Sequence, residues 1–225
     1  MNLIRRIITA NTPRKTRLHD EKGNFLGWRN LFLHSLPVTF SGLLRISIGY
    51  RVELPWTPFS AINCLRFNLK ENARILEFGS GMSTIYFCKH CKEVFSVEDY
   101  RPWYLKISKI IERKGINNIV YKFAENKKEY FSFMADDNRG FDLITIDGSH
   151  RSQCACYSTK LIKPGGVLYL DDSDRESIHG NKDNKIAETL LRNFAKKSDA
   201  EVHEFTDFSP TQFYVKQGIC VKLTS

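Results

Sequence analysis

Between Ala73 and Asp171 the chain alternates two hydrophobic patterns. Short apolar runs, "ARILEF" (73–78), "EVFSVE" (93–98), "NIVYKF" (118–123), "FDLITID" (141–147) and "GGVLYLD" (165–171), have the length and residue types of strands. Between them, "STIYFCKHC" (83–91), "RPWYLKISKIIERKG" (101–115), "KKEYFSFMADD" (127–137) and "QCACYSTKLI" (153–162) read as helices, the second opened by Pro102 and stopped by Gly115. "NKIAETLLRNFAKK" (184–197) is amphipathic, with Ile186, Leu190, Leu191 and Phe194 predicted on one face. Three β-like runs then follow without helices: "EVHEF", "TQFYVK" and "GICVKLT". Strands alternating with helices make βαβ units and a parallel sheet. The terminal run predicts an antiparallel pair at the sheet edge. The fold class is therefore α/β: a doubly wound, mostly parallel, Rossmann-like sheet of about seven strands.

The first 54 residues lack this rhythm. Residues 1–30 are polar, basic and weakly periodic, and read as an extension or a short helix. Pro55 and Pro58 bracket Trp56, break regular structure, and predict a helix from Ser60 to about Leu69. No apolar run approaches the roughly 20 residues that span a bilayer, and Met1–Ala10 has no apolar signal region. The expected organisation is a basic extension over 1–54 and one catalytic domain over 55–225.

Charge changes this picture only at the N-terminus. The net charge is +9. Residues 1–54 hold nine Lys/Arg against three Asp/Glu, a net +6, which leaves +3 for the rest. The extension is either simply solvated or touches an anionic membrane surface or acidic glycan. Nucleic acid is the less favoured partner, because the basic excess lies outside the apparent catalytic domain. Six cysteines include "CKHC" (88–91), but no second ligand pair accompanies it, so free thiols in a reducing cytoplasm are expected.

"ILEFGSGMST" (75–84) leaves a strand through Gly79 and Gly81, with Glu77 at the exit. In an open α/β sheet, ligands bind beyond the carboxyl ends of the strands. Glu98 ends the second strand, where a carboxylate can accept hydrogen bonds from both ribose hydroxyls of an adenosine. NAD fits less well than S-adenosylmethionine. Thr84 stands where the NAD fingerprint has its third small residue, and Glu77 repels a pyrophosphate but suits the ammonium end of a methionine. A purely structural turn is the remaining reading.

From "ELPW" through "RILEFGSGMSTIYF", "VFSVEDYRPWY", "FDLITIDGSH" and "LIKPGGVLYLDDSD", the order and spacing resemble the class I S-adenosylmethionine-dependent methyltransferases, over roughly Glu53 to Arg175. The resemblance implies that Gly79, Ser80 and Gly81 face the methionine part of the cofactor and that Ser83 and Thr84 cap the helix beneath it. It implies that Glu98 holds the ribose, and that Asp99, Tyr100 and Trp103, with Ala124 and Glu125, border the adenine. The last pair matches loosely, since the usual acid is shifted.

The acceptor side rests on Asp147 in "TIDGSH" and on Asp171 and Asp172 in "YLDDSD". Three carboxylates on one rim repel unless they share a proton or a cation. One reading is a magnesium site that lowers the pKa of the acceptor oxygens, a spacing similar to that of metal-dependent small-molecule and sugar O-methyltransferases. Another has these acids capping helices, with His150 or one carboxylate, Asp147 first, acting as general base. Arg151 and Arg175 either bind an anionic acceptor or pair with the surplus acids. Trp56 is either a lid or packing under the first helix. The expected function is methyl transfer to a hydroxyl of a small molecule or glycan. The alternatives are N-methylation, against which no "NPPY"-like tetrapeptide is present, and a non-catalytic adenosylmethionine-binding protein.

Overall fold

The computed structural model describes residue 8, residues 13–175 and residues 182–224. Arg5 and Arg6, part of the basic excess, lie outside the described residues. Seven strands form one sheet in the order β3-β2-β1-β4-β5-β7-β6. They are β1 (Arg74–Phe78), β2 (Glu93–Glu98), β3 (Ile119–Phe123), β4 (Phe141–Ile146), β5 (Ile162–Leu170), β6 (Glu201–Ser209) and β7 (Gln212–Lys222). β1 through β5 pair in parallel, and β7 pairs antiparallel with both β5 and β6. "TQFYVK" and "GICVKLT" are thus one strand running through Gly218, not two.

β1 is buried along its whole length and β4 nearly so, which is why they read as continuous apolar runs: helices cover both faces of a parallel sheet. Period-two alternation then sorts the side chains. Leu76, Phe78, Ile144, Ile146, Leu168 and Leu170 enter one core, with Ala187 and Leu191 of the Asp183–Lys197 helix. Ile75, Leu143, Val167 and Tyr169 enter the other, under the helices Phe59–Asn68 and Met82–His90. In the Asp183–Lys197 helix the buried stripe is Ala187, Leu191 and Ala195, while Ile186 is exposed, one step off the predicted face.

β1 neighbours both β2 and β4, so the chain reverses direction across the sheet at the carboxyl end of β1. The site lies there.

The first 54 residues depart from expectation in two ways. Residues 14–26 are not a solvated extension but are bonded into the domain. Arg14 is buried, donates from Nε to the Val215 carbonyl (2.7 Å), and pairs with Glu21 (3.1 Å) and Asp174 (3.5 Å). Lys22 reaches Glu188 and Gln217, both at 2.9 Å. Trp28–Ile48 then forms a 21-residue helix that the sequence reading missed, with Pro37 inside it. By length and composition it could cross a membrane, which corrects the expectation that no such stretch exists. It was missed because its periodicity is inverted: polar His34 and Ser41 face the protein and the large apolar residues face out.

Candidate functional site

Gly79 leaves β1 with φ +95°, a conformation that suits glycine. A Cβ there would meet the Gly148 backbone at 2.6 Å, and one on Gly148 would meet the Tyr130 hydroxyl at 1.9 Å. The first glycine is therefore required by the neighbouring loop, not by a ligand. Gly81 is different. Its backbone is extended, and the first atom a Cβ would meet is the Ser83 hydroxyl at 3.5 Å, so its outer side is open.

Ser80, between them, is held on three sides. Its N–H (3.1 Å) and hydroxyl (2.8 Å) donate to Glu98 Oε2, and its hydroxyl also meets that of Tyr121 (2.7 Å). Its carbonyl accepts the Trp103 indole N–H at 2.7 Å, so Trp103 braces the turn. The Glu98 Oε1 accepts the N–H groups of Asp99 (3.1 Å) and Tyr100 (2.9 Å). The glycine turn and the end of β2 are thus one rigid unit. Ala124 is buried beside it, its N–H donating to the Glu98 carbonyl at 2.9 Å, and Glu125 is exposed.

Glu77 is not at the exit in the sense expected. Strand alternation turns its side chain under the turn, where it is buried. Its carboxylate accepts from the hydroxyls of Ser83 (2.6 Å), Thr84 (2.5 Å) and Ser96 (2.7 Å). Burial pushes its pKa up to about 7, against the pull of those three hydrogen bonds. Three hydroxyls from two elements converge on it, so Glu77 clamps β1, β2 and the Met82–His90 helix together beneath the turn. Thr84 also accepts the Gly81 N–H at 2.9 Å and so caps the helix as expected; Ser83 contributes through Glu77.

The acceptor side is assembled by β4 and β5. Asp147, Asp171 and Asp172 converge, with one oxygen of each within 4.8 Å of the others. Their charge is balanced by protein cations. Lys216 of β7 is buried against Asp171 and lies 3.2 Å from Asp172. Arg151 reaches Asp147 (3.3 Å) and Asp172 (3.4 Å), and Arg175 reaches Asp172 (3.3 Å). These three cations hold Asp172 well below the ordinary carboxylate range despite its burial, while burial raises Asp171. Tyr169 donates to the other Asp171 oxygen at 2.9 Å. A magnesium ion does not fit this donor set: its carboxylate oxygens already face three cations, and a fourth would have to displace the Lys216 ammonium. Nothing in the sequence tied Lys216 to these acids, because the register of β7 against β5 brings them together.

Asp147, about one-third exposed, is the only one of the three that reaches solvent. It does not cap the next helix. That role falls to Asp183, which accepts the N–H groups of Arg151 (2.6 Å) and Ser152 (3.1 Å). His150 sits at the N-terminus of the Arg151–Leu161 helix with φ 52°. Its Nε2 lies 3.8 Å from Asp99 Oδ2, and its ring packs edge-on against Tyr130. The Ser149 hydroxyl donates to Asp99 Oδ1 at 3.2 Å. A cleft of about 470 Å³ opens here, bounded by Lys127, His150 and Arg175. Trp56 lies beside Trp103, with ring centres 6.4 Å apart, over Met82, Ile85 and Ile107. Cys88 and Cys91 are buried free thiols, and no zinc-like group among the described residues includes them.

The region around the turn therefore carries Glu98, Asp99 and Asp147, with Glu77 beneath. This field suits a ligand with a positive centre, such as a sulfonium, and opposes a pyrophosphate. Residues 76–173 match a family model described as a methyltransferase domain. The fold is similar to that of the O-methyltransferase TomG of Streptomyces achromogenes, whose structure holds SAM (TM-score 0.61, 15% identity, 89% of this chain and 97% of that one). It is also similar to an O-methyltransferase of Bacillus cereus in complex with SAH (TM-score 0.62, 14% identity, 88% and 98%). An rRNA methylase of Streptococcus thermophilus is a more distant neighbour (TM-score 0.51, 11% identity, 72% and 93%). Among curated proteins, the chain is 26% identical over 121 residues to the catalytic subunit of a tRNA (adenine(58)-N(1))-methyltransferase of Candida albicans. It spans 36% of the length of that relative. The glycine turn, the acids at the strand ends and the sheet order agree with the match of residues 76–173 to a methyltransferase domain.

Proposed function

We propose that the chain moves a methyl group from S-adenosylmethionine to a hydroxyl of a small molecule or glycan. The observation that carries this reading is the polar cleft between His150 and Arg175, immediately beside the Gly79–Gly148 contact. The cofactor supplies a methyl already activated on sulfur. The Gly79–Gly81 turn and Ser80 face its methionine part, Glu98 its ribose, and Asp99, Trp103, Ala124 and Glu125 its adenine side. The chain's own task is to place the acceptor in line and take its proton. His150 is the base, with Asp99 near enough to hold the imidazole in orientation, and Asp147, three residues before it and paired with Arg151, is the carboxylate of the acid cluster that reaches solvent. The likeness to O-methyltransferases supports the hydroxyl.

A nucleic-acid acceptor has some support of its own, from the net charge of +9 and the curated relative. Labelled methyl transfer to a panel of hydroxylated small molecules, sugars, amines and RNA tests both. The expected product is a methyl ether, lost in His150→Ala while adenosylhomocysteine still binds. Label on a base or amine moves the reading to N-methylation. Binding without any transfer leaves a non-catalytic protein.

A further inference from the structure

We propose that the outer face of the Trp28–Ile48 helix docks on an anionic lipid bilayer, the helix lying in the plane of the surface. At 100° per residue, Trp28, Phe32, Leu36, Phe40, Leu43 and Ile46 fall within a sector of about 120°. This sector points away from the protein: Phe32 is 75% exposed, Leu36 77% and Ile46 85%. A stripe of six large apolar side chains running the length of a helix is larger than the scattered exposure of an ordinary surface.

The opposite side of the helix is bonded to the sheet edge. His34 Nδ1 lies 2.8 Å from Asp207 Oδ2, and the Thr211 N–H donates to the Ser41 hydroxyl at 3.0 Å. Val38 is buried with Leu26, Phe208 and Val215. Crossing a membrane would break these contacts and bury His34, Arg29 and Arg45 in hydrocarbon, whereas lying flat keeps all of them.

Charge selects the occupant. No Asp or Glu occurs between Glu21 and Glu53, while Lys22, Arg29, Arg45 and Arg51 do. At the C-terminal end of the stripe, Arg45 and Arg51 each lie 5.1 Å over Trp56. Arg51 also lies 4.9 Å over Trp103, beside Lys106 at 5.2 Å. None of these three cations has an acidic partner among the described residues. Burial and mutual repulsion lower the pKa of Arg51 and Lys106, the behaviour of a cation cluster awaiting an anion. A second copy would bring more cations and no carboxylate from this face. Phosphate headgroups bring the missing charge next to the apolar surface that the stripe would enter.

The test is flotation of the full chain with vesicles of phosphatidylcholine alone, or with about one-third phosphatidylglycerol. Binding is expected to the anionic vesicles and to weaken with salt. Leu36→Glu with Phe40→Glu should lower partition at least ~tenfold, because two exposed apolar contacts become repulsive. Arg51→Glu with Lys106→Glu should also lower it. Both variants should keep the parent melting temperature and its rise with adenosylhomocysteine, showing that the domain is intact. Absence of flotation with any vesicle overturns the proposal. So does undiminished flotation of the Leu36→Glu, Phe40→Glu chain, which would assign binding to the basic residues before Arg17. A dimer that this variant dissociates, with no vesicle binding by the parent, would make a second copy the occupant.

Discussion

The backbones of Gly79 and Gly148 touch where β1 and β4 end, and neither position has room for a methyl group. Gly79→Ala adds left-handed strain at φ +95° to a 2.6 Å clash with backbone. It should cost about 2–5 kcal/mol of stability. Gly81→Ala, with 3.5 Å of clearance, should cost under about 1 kcal/mol yet weaken adenosylhomocysteine binding, because the proposed cofactor site lies on its open side. Thermal unfolding and calorimetric titration of both variants check this. Equal losses of stability would refute the distinction.

Glu77 makes stability depend on pH in an unusual sense. Its folded pKa of about 7 lies above the ordinary 4.5, so the folded state holds this proton more tightly than the unfolded chain does. Stability should therefore fall as pH rises from about 4.5 to about 7 and stay lower above that, a swing on the order of 3 kcal/mol for this group. Glu77→Gln removes the titration. Denaturant midpoints at pH 5 and pH 8 should differ less in the variant than in the parent; identical differences would show that Glu77 does not titrate in this range.

Lys216→Met leaves Asp171 buried without its ammonium partner and should destabilise by about 3–5 kcal/mol. Adding Asp171→Asn should restore part of that loss, which a double-mutant cycle measures. Chelator should change neither melting temperature nor methyl transfer. Activity lost to chelator and recovered with magnesium would overturn the assignment of these charges to Lys216, Arg151 and Arg175.

Arg14→Ala should also destabilise by about 3–5 kcal/mol, since it leaves the buried Glu21 and Asp174 without their cation. Lys15→Ala, at an exposed position one residue on, should stay within about 0.5 kcal/mol of the parent. Comparable unfolding curves for the two would return residues 14–26 to the status of a loose extension.

Glu98→Gln keeps the shape of the side chain but removes its charge. It should lower adenosylhomocysteine affinity by about 1.5–3 kcal/mol, the value of a hydrogen bond to a charged group, with NAD failing to bind either protein. Unchanged affinity in a folded variant would remove Glu98 from the ribose.

What the sequence by itself determined is the part written in local periodicity. The parallel strands, their helices, the glycine turn after β1 and the acids at the ends of β2, β4 and β5 were legible, because strand alternation and turn chemistry involve neighbours in the chain. What only tertiary structure decided is which charge meets which. Glu77 turns under the loop because β1 packs on both faces, Gly148 answers Gly79 because β4 lies beside β1, and Lys216 neutralises Asp171 across strands 45 residues apart. The Trp28–Ile48 helix escaped notice for the opposite reason. Sequence reading assumes that the most apolar side of a helix faces the core, and this helix is fastened to the sheet edge by its less apolar side, through His34, Val38 and Ser41.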